Sequence, residues 1–379
     1  MAPEIALDEC ALLGPGSIVV DPMVGSGTTV HAAAKAGCQA IGTDVDPLAV
    51  LMTQVRTTPV STSALVSLAD SLASKARAFA SSTRLEWIDS DPETKRFVDY
   101  WFAERQQHLL RALTILIMEV SESSLRAALK IAFSRLIVTK DKGASLGRDV
   151  SHSRPHKVLA ENDFDVARQF FLASSRLASV LEQSAPTGRV TTLRSDARNT
   201  GLKSGIADLV ITSPPYLNAI DYLRGHRLSL VWFGYSVAQI RRIRSESVGA
   251  ERGISASGPV YLEGMRTALG SYGSLAVRFQ RIVDRYLLDL HALYAEQARL
   301  LRRGSRAVTV IGNSALRGAF LQNDAAARVA AQAHGLILED QYERTLPADR
   351  RYLPPPQHLG GAALQQRMRT ETVLRFRKA

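Results

Sequence analysis

The sequence has only two cysteines, Cys10 and Cys38, among its 379 residues. So few cysteines cannot form a disulfide framework, and they favour a reducing compartment, so we expect a cytoplasmic protein. No apolar run reaches membrane-spanning length, and no basic stretch followed by an apolar one stands near the start. The sequence therefore predicts neither a membrane protein nor an exported one.

Acidic residues are also in short supply, since 36 aspartates and glutamates stand against 47 lysines and arginines. The formal net charge of +11 and the isoelectric point near 9.9 favour a polyanionic partner. A basic enzyme with a small substrate fits these values equally well. Hydrophobic residues make up 46% of the chain, enough for one large α/β domain with an insertion or for two domains.

Strand and helix patterns alternate at the start of the chain. Residues 17–21 and 39–44 have the apolar patterns of buried strands, a helix is predicted over 28–36, and Pro47 opens another. This order is typical of a doubly wound, mostly parallel α/β sheet of the Rossmann-like class. Further strands are predicted at 189–193, 207–212 and 307–311, and at 336–344 and 371–377, the last two as an antiparallel pair at the end of the sheet.

Helical patterns dominate between residues 61 and 188, including long ones over 97–120 and 125–138. We therefore expect a catalytic domain made of residues 1–60 and 189–379, with a mostly helical insertion over 61–188. Another helix is predicted over 223–244, whereas residues 313–318 are predicted to form a loop.

A glycine-rich turn follows the first predicted strand and reads Asp-Pro-Met-Val-Gly-Ser-Gly-Thr-Thr over residues 21–29. Gly25 and Gly27 let the backbone turn sharply and approach a ligand, and the amides at a helix start bind anionic groups. Asp44 ends the next predicted strand, where a carboxylate can accept hydrogen bonds from ribose hydroxyls. A strand-to-helix turn without a ligand is the alternative. The segment lacks Gly-Lys-Ser/Thr, which argues against a P-loop, and the missing third glycine fits a nicotinamide site poorly.

A second turn, Ser213-Pro214-Pro215-Tyr216, directly follows the apolar pattern of residues 208–212. The Ser213 hydroxyl and the Pro214 carbonyl can accept hydrogen bonds from the exocyclic amine of a nucleobase, which favours a nitrogen with an available lone pair. The two prolines fix the backbone and remove competing N–H donors, and the Tyr216 ring offers a face for base stacking. A rigid turn or a proline-rich ligand motif is the alternative.

The glycine-rich segment closely resembles the S-adenosylmethionine loop of the amino-group DNA methyltransferases, which make N4-methylcytosine or N6-methyladenine. Residues 41–47 resemble the family's next strand with its ribose-binding acid, and Ser213–Tyr216 resembles its catalytic turn. The resemblance implies a Rossmann-like methyltransferase sheet, S-adenosylmethionine as the cofactor, and methyl transfer to a base flipped out of the duplex. The implied cofactor-binding residues are Asp21, Pro22, Met23, Gly25, Gly27, Thr28, Thr29, Asp44, Val45, Asp46 and Asp196, and the implied catalytic residues are Ser213, Pro214, Pro215 and Tyr216.

The residue before the two prolines bears on the target base. In the family that the chain resembles, serine is commonest there among N4-cytosine enzymes, and aspartate or asparagine among N6-adenine enzymes. Ser213 therefore favours N4 of cytosine. Neither cysteine follows a proline, which argues against C5 methylation of cytosine through a cysteine nucleophile. An N6-adenine DNA methyltransferase, an RNA base-amine methyltransferase and an inactive DNA-binding protein are the alternatives.

Two basic segments, residues 139–158 and 221–252, are candidates for reading DNA, because arginines suit both phosphates and guanine edges. The predicted contacts are Arg148, Arg154, His156, Arg224, Arg227, Arg241 and Arg242. A solvated basic face without a specific role is the alternative for each of them. Double-stranded DNA is the expected partner, and a cognate restriction endonuclease is a further candidate. No acid or cysteine completes a ligand set with the histidines of the first segment, so no metal site is predicted.

Overall fold

The computed structural model describes residues 3–79, 83–139, 142–148, 156–183, 188–217, 223–249, 262–346 and 370–379. The strands are β1 (Ile18–Asp21), β2 (Gln39–Asp44), β3 (Gly147–Arg148), β4 (His156–Lys157), β5 (Val190–Arg194), β6 (Ala207–Thr212), β7 (Leu301–Ile311), β8 (Ser314–Leu316), β9 (Ala319–Leu321), β10 (Leu336–Thr345) and β11 (Thr370–Lys378).

The helices are α1 (Pro3–Ala11), α2 (Thr28–Lys35), α3 (Pro47–Thr57), α4 (Thr62–Arg77), α5 (Glu86–Asp89), α6 (Pro92–Trp101), α7 (Glu104–Met118), α8 (Ser123–Ile137), α9 (Val166–Glu182), α10 (Leu223–Leu230), α11 (Val237–Glu246), α12 (Glu263–Ala268), α13 (Val277–Leu300) and α14 (Asn323–Ala333). No helix in the described ranges is both long and apolar enough to cross a membrane.

The chain divides into two compact units. Unit 1 comprises residues 1–45, 187–220 and 245–379, and unit 2 comprises residues 46–186 and 221–244. Unit 2 therefore takes in 46–60 and 221–244, which the sequence pattern had grouped with the catalytic domain. The reason is local packing, because α3 and α10 both contact α8 within the helical unit.

A seven-stranded sheet forms the centre of unit 1, with strand order β10-β11-β7-β6-β1-β2-β5. The strands β5, β2, β1, β6 and β7 are parallel to one another, whereas β11 runs antiparallel to both β7 and β10. This topology confirms the predicted Rossmann-like sheet, which is doubly wound and mostly parallel with an antiparallel strand near the C-terminus.

The strand order changes direction at β1, which has β2 on one side and β6 on the other. In open α/β sheets, ligands bind beyond the carboxyl ends of the strands at such a switch point. The pairing of Val20 with Val210 places the end of β1 at Asp21 beside the end of β6 at Thr212. The glycine-rich segment and the Pro-Pro turn therefore leave the sheet from neighbouring strands.

Side chains of the central strands alternate between two buried cores. Val19 and Leu209 pack in the core that also contains α1 and α2, whereas Val20 and Val210 pack in the core that contains α13 and α14. Because both faces of the sheet are covered, these strands have nearly continuous apolar sequences. A one-residue slip in register would exchange the two faces, so burial also fixes where each strand ends.

Two long helices predicted from the sequence are each divided in the structure. The pattern over 97–120 breaks at Phe102, which is extended with φ −134° and ψ 132° and packs edge-on against Trp232 at 5.0 Å between ring centroids. The pattern over 223–244 breaks at Gly234, whose φ of 94° only glycine adopts readily. Burial of an aromatic ring and a left-handed glycine therefore override helical periodicity at these positions.

Residues 313–318 contain part of a short hairpin, although a loop was predicted there. β8 and β9 pair antiparallel, with Leu316 opposite Ala319. Arg317 and Gly318 form the two-residue turn, with φ values of 51° and 88°. Positive φ at both positions is the geometry that tight hairpins require, and arginine at the first of them gives little sequence signal for it.

Candidate active site

The glycine-rich segment runs from Asp21, at the end of β1, to the start of α2. Gly25 and Gly27 have φ values of 52° and 82°, a backbone conformation that residues with a Cβ rarely adopt. Gly27 is the N-cap of α2 and has no side chain to satisfy the first amides of the helix. The segment thus has the sharp turn and the helix start that the sequence predicted.

Hydrogen bonds join this segment to the end of β2. The Gly25 amide donates to Asp44 Oδ2 at 3.0 Å, and the Val24 amide donates to the Thr43 carbonyl at 2.9 Å. In return, the Thr43 hydroxyl donates to the Pro22 carbonyl at 3.0 Å. Contacts with β2, which ends at the predicted ribose-binding residue Asp44, therefore set the conformation of the loop.

Gly42 of β2 tests this coupling between strand and loop. A Cβ at Gly42 would lie 2.7 Å from Val24 Cγ2, so alanine there must displace the side chain of Val24 in the loop. We expect Gly42→Ala to destabilise the protein by about 1–3 kcal/mol in chemical denaturation, the usual cost of overpacking. Gly14→Ala is the control, because a Cβ at Gly14 meets no atom within 4 Å. Equal unfolding midpoints for the two variants would show that the loop does not depend on this contact.

Asp21 lies beneath the loop with only 1% of its surface exposed. Burial raises the pKa of Asp21, and this rise is opposed by the nearby Thr29 hydroxyl and by the Met23 amide, which donates to the carboxylate at 3.1 Å. The buried Asp21 carboxylate therefore fixes the start of the loop through its hydrogen bond with the Met23 amide.

Asp196 follows β5 by two residues and is bound by Arg198. The Arg198 Nη2 and Nε atoms donate to the carboxylate at 2.6 and 2.9 Å, and the Arg198 amide donates at 2.9 Å. Burial alone would raise the pKa of Asp196, but the hydrogen bonds from Arg198 outweigh it and hold the pKa below its usual range. Arg198 was not predicted from the sequence, where the Asp-x-Arg spacing was its only signal.

The Pro-Pro turn begins directly after Thr212, at the end of β6. Ser213 is half-buried and Pro214 is buried. Tyr216 is 8% exposed, and its hydroxyl donates to Glu371 Oε1 of β11 at 2.7 Å. The hydroxyl of Tyr216, the predicted stacking residue, is therefore bound by a strand from the antiparallel end of the sheet. No local sequence motif indicates this contact.

The chain passes from unit 1 to unit 2 between Val45 and Asp46. The Val45 carbonyl accepts a hydrogen bond from Arg194 Nε at 3.2 Å in unit 1. In unit 2, Asp46 caps α3 by accepting from the Leu48 amide at 2.9 Å, and it also pairs with His226. These contacts give Asp46 a structural role, and its contact with the cofactor stays a prediction.

The predicted DNA contacts lie in unit 2, apart from Arg154, which is outside the described residues. Arg148, His156, Arg241 and Arg242 are exposed, and Arg241 forms an ion pair with Glu93. Exposed side chains of these types are suited to contacts with phosphates, whereas an exposed ion pair contributes little to stability.

The two remaining predicted contacts, Arg224 and Arg227, are partly buried. The Arg227 guanidinium lies 5.4 Å from the ring centroid of Phe97 and 5.8 Å from that of Trp101. Cation–π contacts of this kind stabilise a folded unit. Packing against these rings is thus a structural role for Arg227, and its contact with DNA stays a prediction.

No family model matches the chain. Among curated proteins, the chain is similar to the Type II methyltransferase M.MvaI from Kocuria varians, with 25% identity over 235 residues. The alignment covers 57% of this chain and 51% of the relative. The chain therefore spans about half the length of the curated relative that it matches.

Solved structures with some similarity include a geranyl diphosphate methyltransferase in complex with SAM. It has a TM-score of 0.37 and 10% identity, and the match covers 100% of this chain and 84% of that chain. A putative DNA modification methylase from Thermus thermophilus, complexed with S-adenosyl-L-methionine, has a TM-score of 0.25 and 17% identity over 48% of this chain and 51% of that chain. At such low TM-scores, the fold is assigned from the strand order and not from these matches.

Proposed function

We propose that this chain, whose predicted resemblance to the amino-group methyltransferases is supported by its similarity to a Type II methyltransferase, transfers a methyl group from S-adenosylmethionine to an exocyclic amine in DNA. The favoured acceptor is N4 of cytosine. One observation carries the proposal: the glycine-rich loop and the Ser-Pro-Pro-Tyr turn leave adjacent strands at the switch point of the sheet.

The described residues fit the proposed cofactor. A Cβ built at Gly25 meets no atom of the described residues within 4 Å, so these residues leave room on that side of the loop. The Asp44 carboxylate is half-buried at the end of β2. It can accept hydrogen bonds from the ribose hydroxyls while Oδ2 accepts one from the Gly25 amide. The uncapped start of α2 suits the carboxylate of the methionine part. When bound, S-adenosylmethionine supplies a methyl group on a positively charged sulfur.

The protein's own task is to orient and activate a weakly nucleophilic amine. The Ser213 hydroxyl and the Pro214 carbonyl accept hydrogen bonds from the amine N–H groups, which favours a nitrogen with an available lone pair. Pro214 and Pro215 have no N–H groups that could compete, and the Tyr216 ring stacks on the base. The amine of a paired base is inaccessible, so the base must be flipped out of the duplex.

Unit 2 is proposed to supply contacts to double-stranded DNA. Its exposed Arg148, His156 and Arg242 are suited to phosphates, and the net charge of +11 favours a polyanion. Partly buried Arg224 is proposed as a further contact. A cognate restriction endonuclease stays a prediction.

The substrate class is tested by incubating the purified full chain with methyl-labelled S-adenosylmethionine and either unmethylated double-stranded DNA or total RNA. We expect label in DNA and only background label in RNA. Label confined to RNA would favour the RNA base-amine alternative. Failure of the protein to bind S-adenosylmethionine in calorimetry would favour the inactive DNA-binding alternative.

A further inference from the structure

A buried carboxylate on α13, Asp289, joins two parts of the proposed site that the sequence presents separately. Asp289 is 3% exposed and accepts three hydrogen bonds. Arg198 Nη1 donates to Oδ1 at 2.5 Å, Arg285 Nε donates to the same oxygen at 3.2 Å, and the Gly249 amide donates to Oδ2 at 3.2 Å. A carboxylate so enclosed and so fully bonded has little freedom to move.

The first of these contacts leads to the predicted cofactor acid. Arg198 uses Nη1 for Asp289 and uses Nε and Nη2 for Asp196, so one guanidinium bridges two carboxylates. Its Nη2 also donates to the Glu246 carbonyl. Because the guanidinium is planar and rigid, fixing one edge of it fixes the other. The position of Asp196 therefore depends on that of Asp289.

The second contact leads to the catalytic turn. Gly249 has a φ of 73°, and a Cβ built on it would lie 3.6 Å from the Cβ of Pro215. A methyl group at Gly249 would therefore be in ordinary van der Waals contact with the second proline, so the Gly249 backbone lies about one methyl group away from the turn. By accepting from the Gly249 amide, Asp289 holds the segment that lies beside the turn.

We propose that Asp289 is a positioning residue that fixes Asp196 and the Ser213–Tyr216 turn relative to each other. This inference rests on the proposed function, in which Asp196 contacts the cofactor and the turn holds the base. Methyl transfer needs the methyl carbon and the amine nitrogen aligned, and a misplacement of about 1 Å can cost about 100-fold in rate. One buried carboxylate that holds both sides reduces such misplacement.

Asp289→Asn tests the proposal, because asparagine keeps the shape of the side chain but replaces one acceptor oxygen with a donor. Asp284→Asn is the matched control: Asp284 lies on the same helix, is also 3% exposed, and binds Arg266 and Tyr272 instead. We expect Asp289→Asn to weaken S-adenosylmethionine binding in calorimetry and to slow single-turnover methyl transfer, each at least about tenfold more than Asp284→Asn. In a double-mutant cycle with Asp196→Asn, the effects on cofactor affinity should not add.

The outcomes separate this inference from the proposed function. If wild-type protein binds S-adenosylmethionine and methylates DNA but the two asparagine variants behave alike, Asp289 has only a structural role and the inference is overturned. If wild-type protein does not bind the cofactor, the proposed function fails, and the inference fails with it. Should Asp289→Asn not fold, Arg198→Lys gives the second measurement, since lysine cannot bridge both carboxylates and should cause the same two losses.

Discussion

Replacing Tyr216 with alanine is expected to slow methyl transfer by about 10- to 100-fold, because stacking of a base on an aromatic ring contributes about 1–3 kcal/mol. The ring lies in the turn that is proposed to hold the target base, and its hydroxyl donates a hydrogen bond to Glu371 at 2.7 Å. Cofactor affinity should be unchanged, because Tyr216 belongs to the base side of the proposed site. Single-turnover kinetics and calorimetry measure the two quantities separately.

Tyr216→Phe is the matched control for this prediction. Phenylalanine keeps the ring but removes the hydrogen bond to Glu371, so most of the rate should remain. Alanine also leaves a cavity in the core, and loss of a buried aromatic side chain costs about 3–5 kcal/mol, so rates must be compared for folded protein. Unchanged turnover of folded Tyr216→Ala would remove the stacking role.

Replacing Asp44 with alanine is expected to weaken S-adenosylmethionine binding by at least about 100-fold. Hydrogen bonds to a charged group contribute about 1.5–3 kcal/mol each, and the variant loses those from the ribose hydroxyls. It also loses the acceptor of the Gly25 amide, so the glycine-rich loop is less well ordered for the ligand. Calorimetric titration of the purified variant with S-adenosylmethionine measures the change in affinity.

Asp8→Ala provides the reference for the Asp44 prediction, because Asp8 is an exposed acid on α1 of the same unit. Its removal changes the net charge by the same amount and should leave the affinity within about twofold, as expected for an exposed surface site. Equal affinities for the Asp44→Ala and Asp8→Ala variants would contradict the assignment of Asp44 to the ribose.

The parts of the fold and site that could be predicted are those with local signals. Apolar runs marked β1, β2 and β6, and the order of elements indicated a doubly wound sheet. Because the carboxyl ends of parallel strands share one edge of a sheet, the residues after each strand could be grouped before any coordinates were known. Gly25 and Asp44 indeed meet at that edge, where the Gly25 amide donates to Asp44 Oδ2.

The contacts that hold the site could not be predicted, because they join residues far apart in the chain. Arg198 and Asp289 are separated by 91 positions, and Tyr216 and Glu371 by 155. Neither periodicity nor turn chemistry carries information about such pairs. Glu371 was recognised only as the start of a predicted strand, and Asp289 carries no local sequence signal at all.

Elements that were predicted with the wrong extent have similar causes. The break at Gly234 was readable in principle, since glycine is the residue that adopts a φ of 94° without strain. The break at Phe102 was not, because it follows from the contact with Trp232, which is distant in sequence. Tertiary packing overrode helical propensity there.

The most direct test of the account is the identity of the methylated nucleoside. DNA from an unmethylated source is incubated with the full chain and S-adenosylmethionine carrying a deuterated methyl group, then digested and analysed by mass spectrometry. We predict deuterated N4-methyldeoxycytidine. N6-methyldeoxyadenosine alone would contradict the preference inferred from Ser213 but keep the amine chemistry, whereas C5-methyldeoxycytidine, or no methylated nucleoside from protein that binds the cofactor, would contradict the central claim that the Ser-Pro-Pro-Tyr turn directs methyl transfer to a DNA amine.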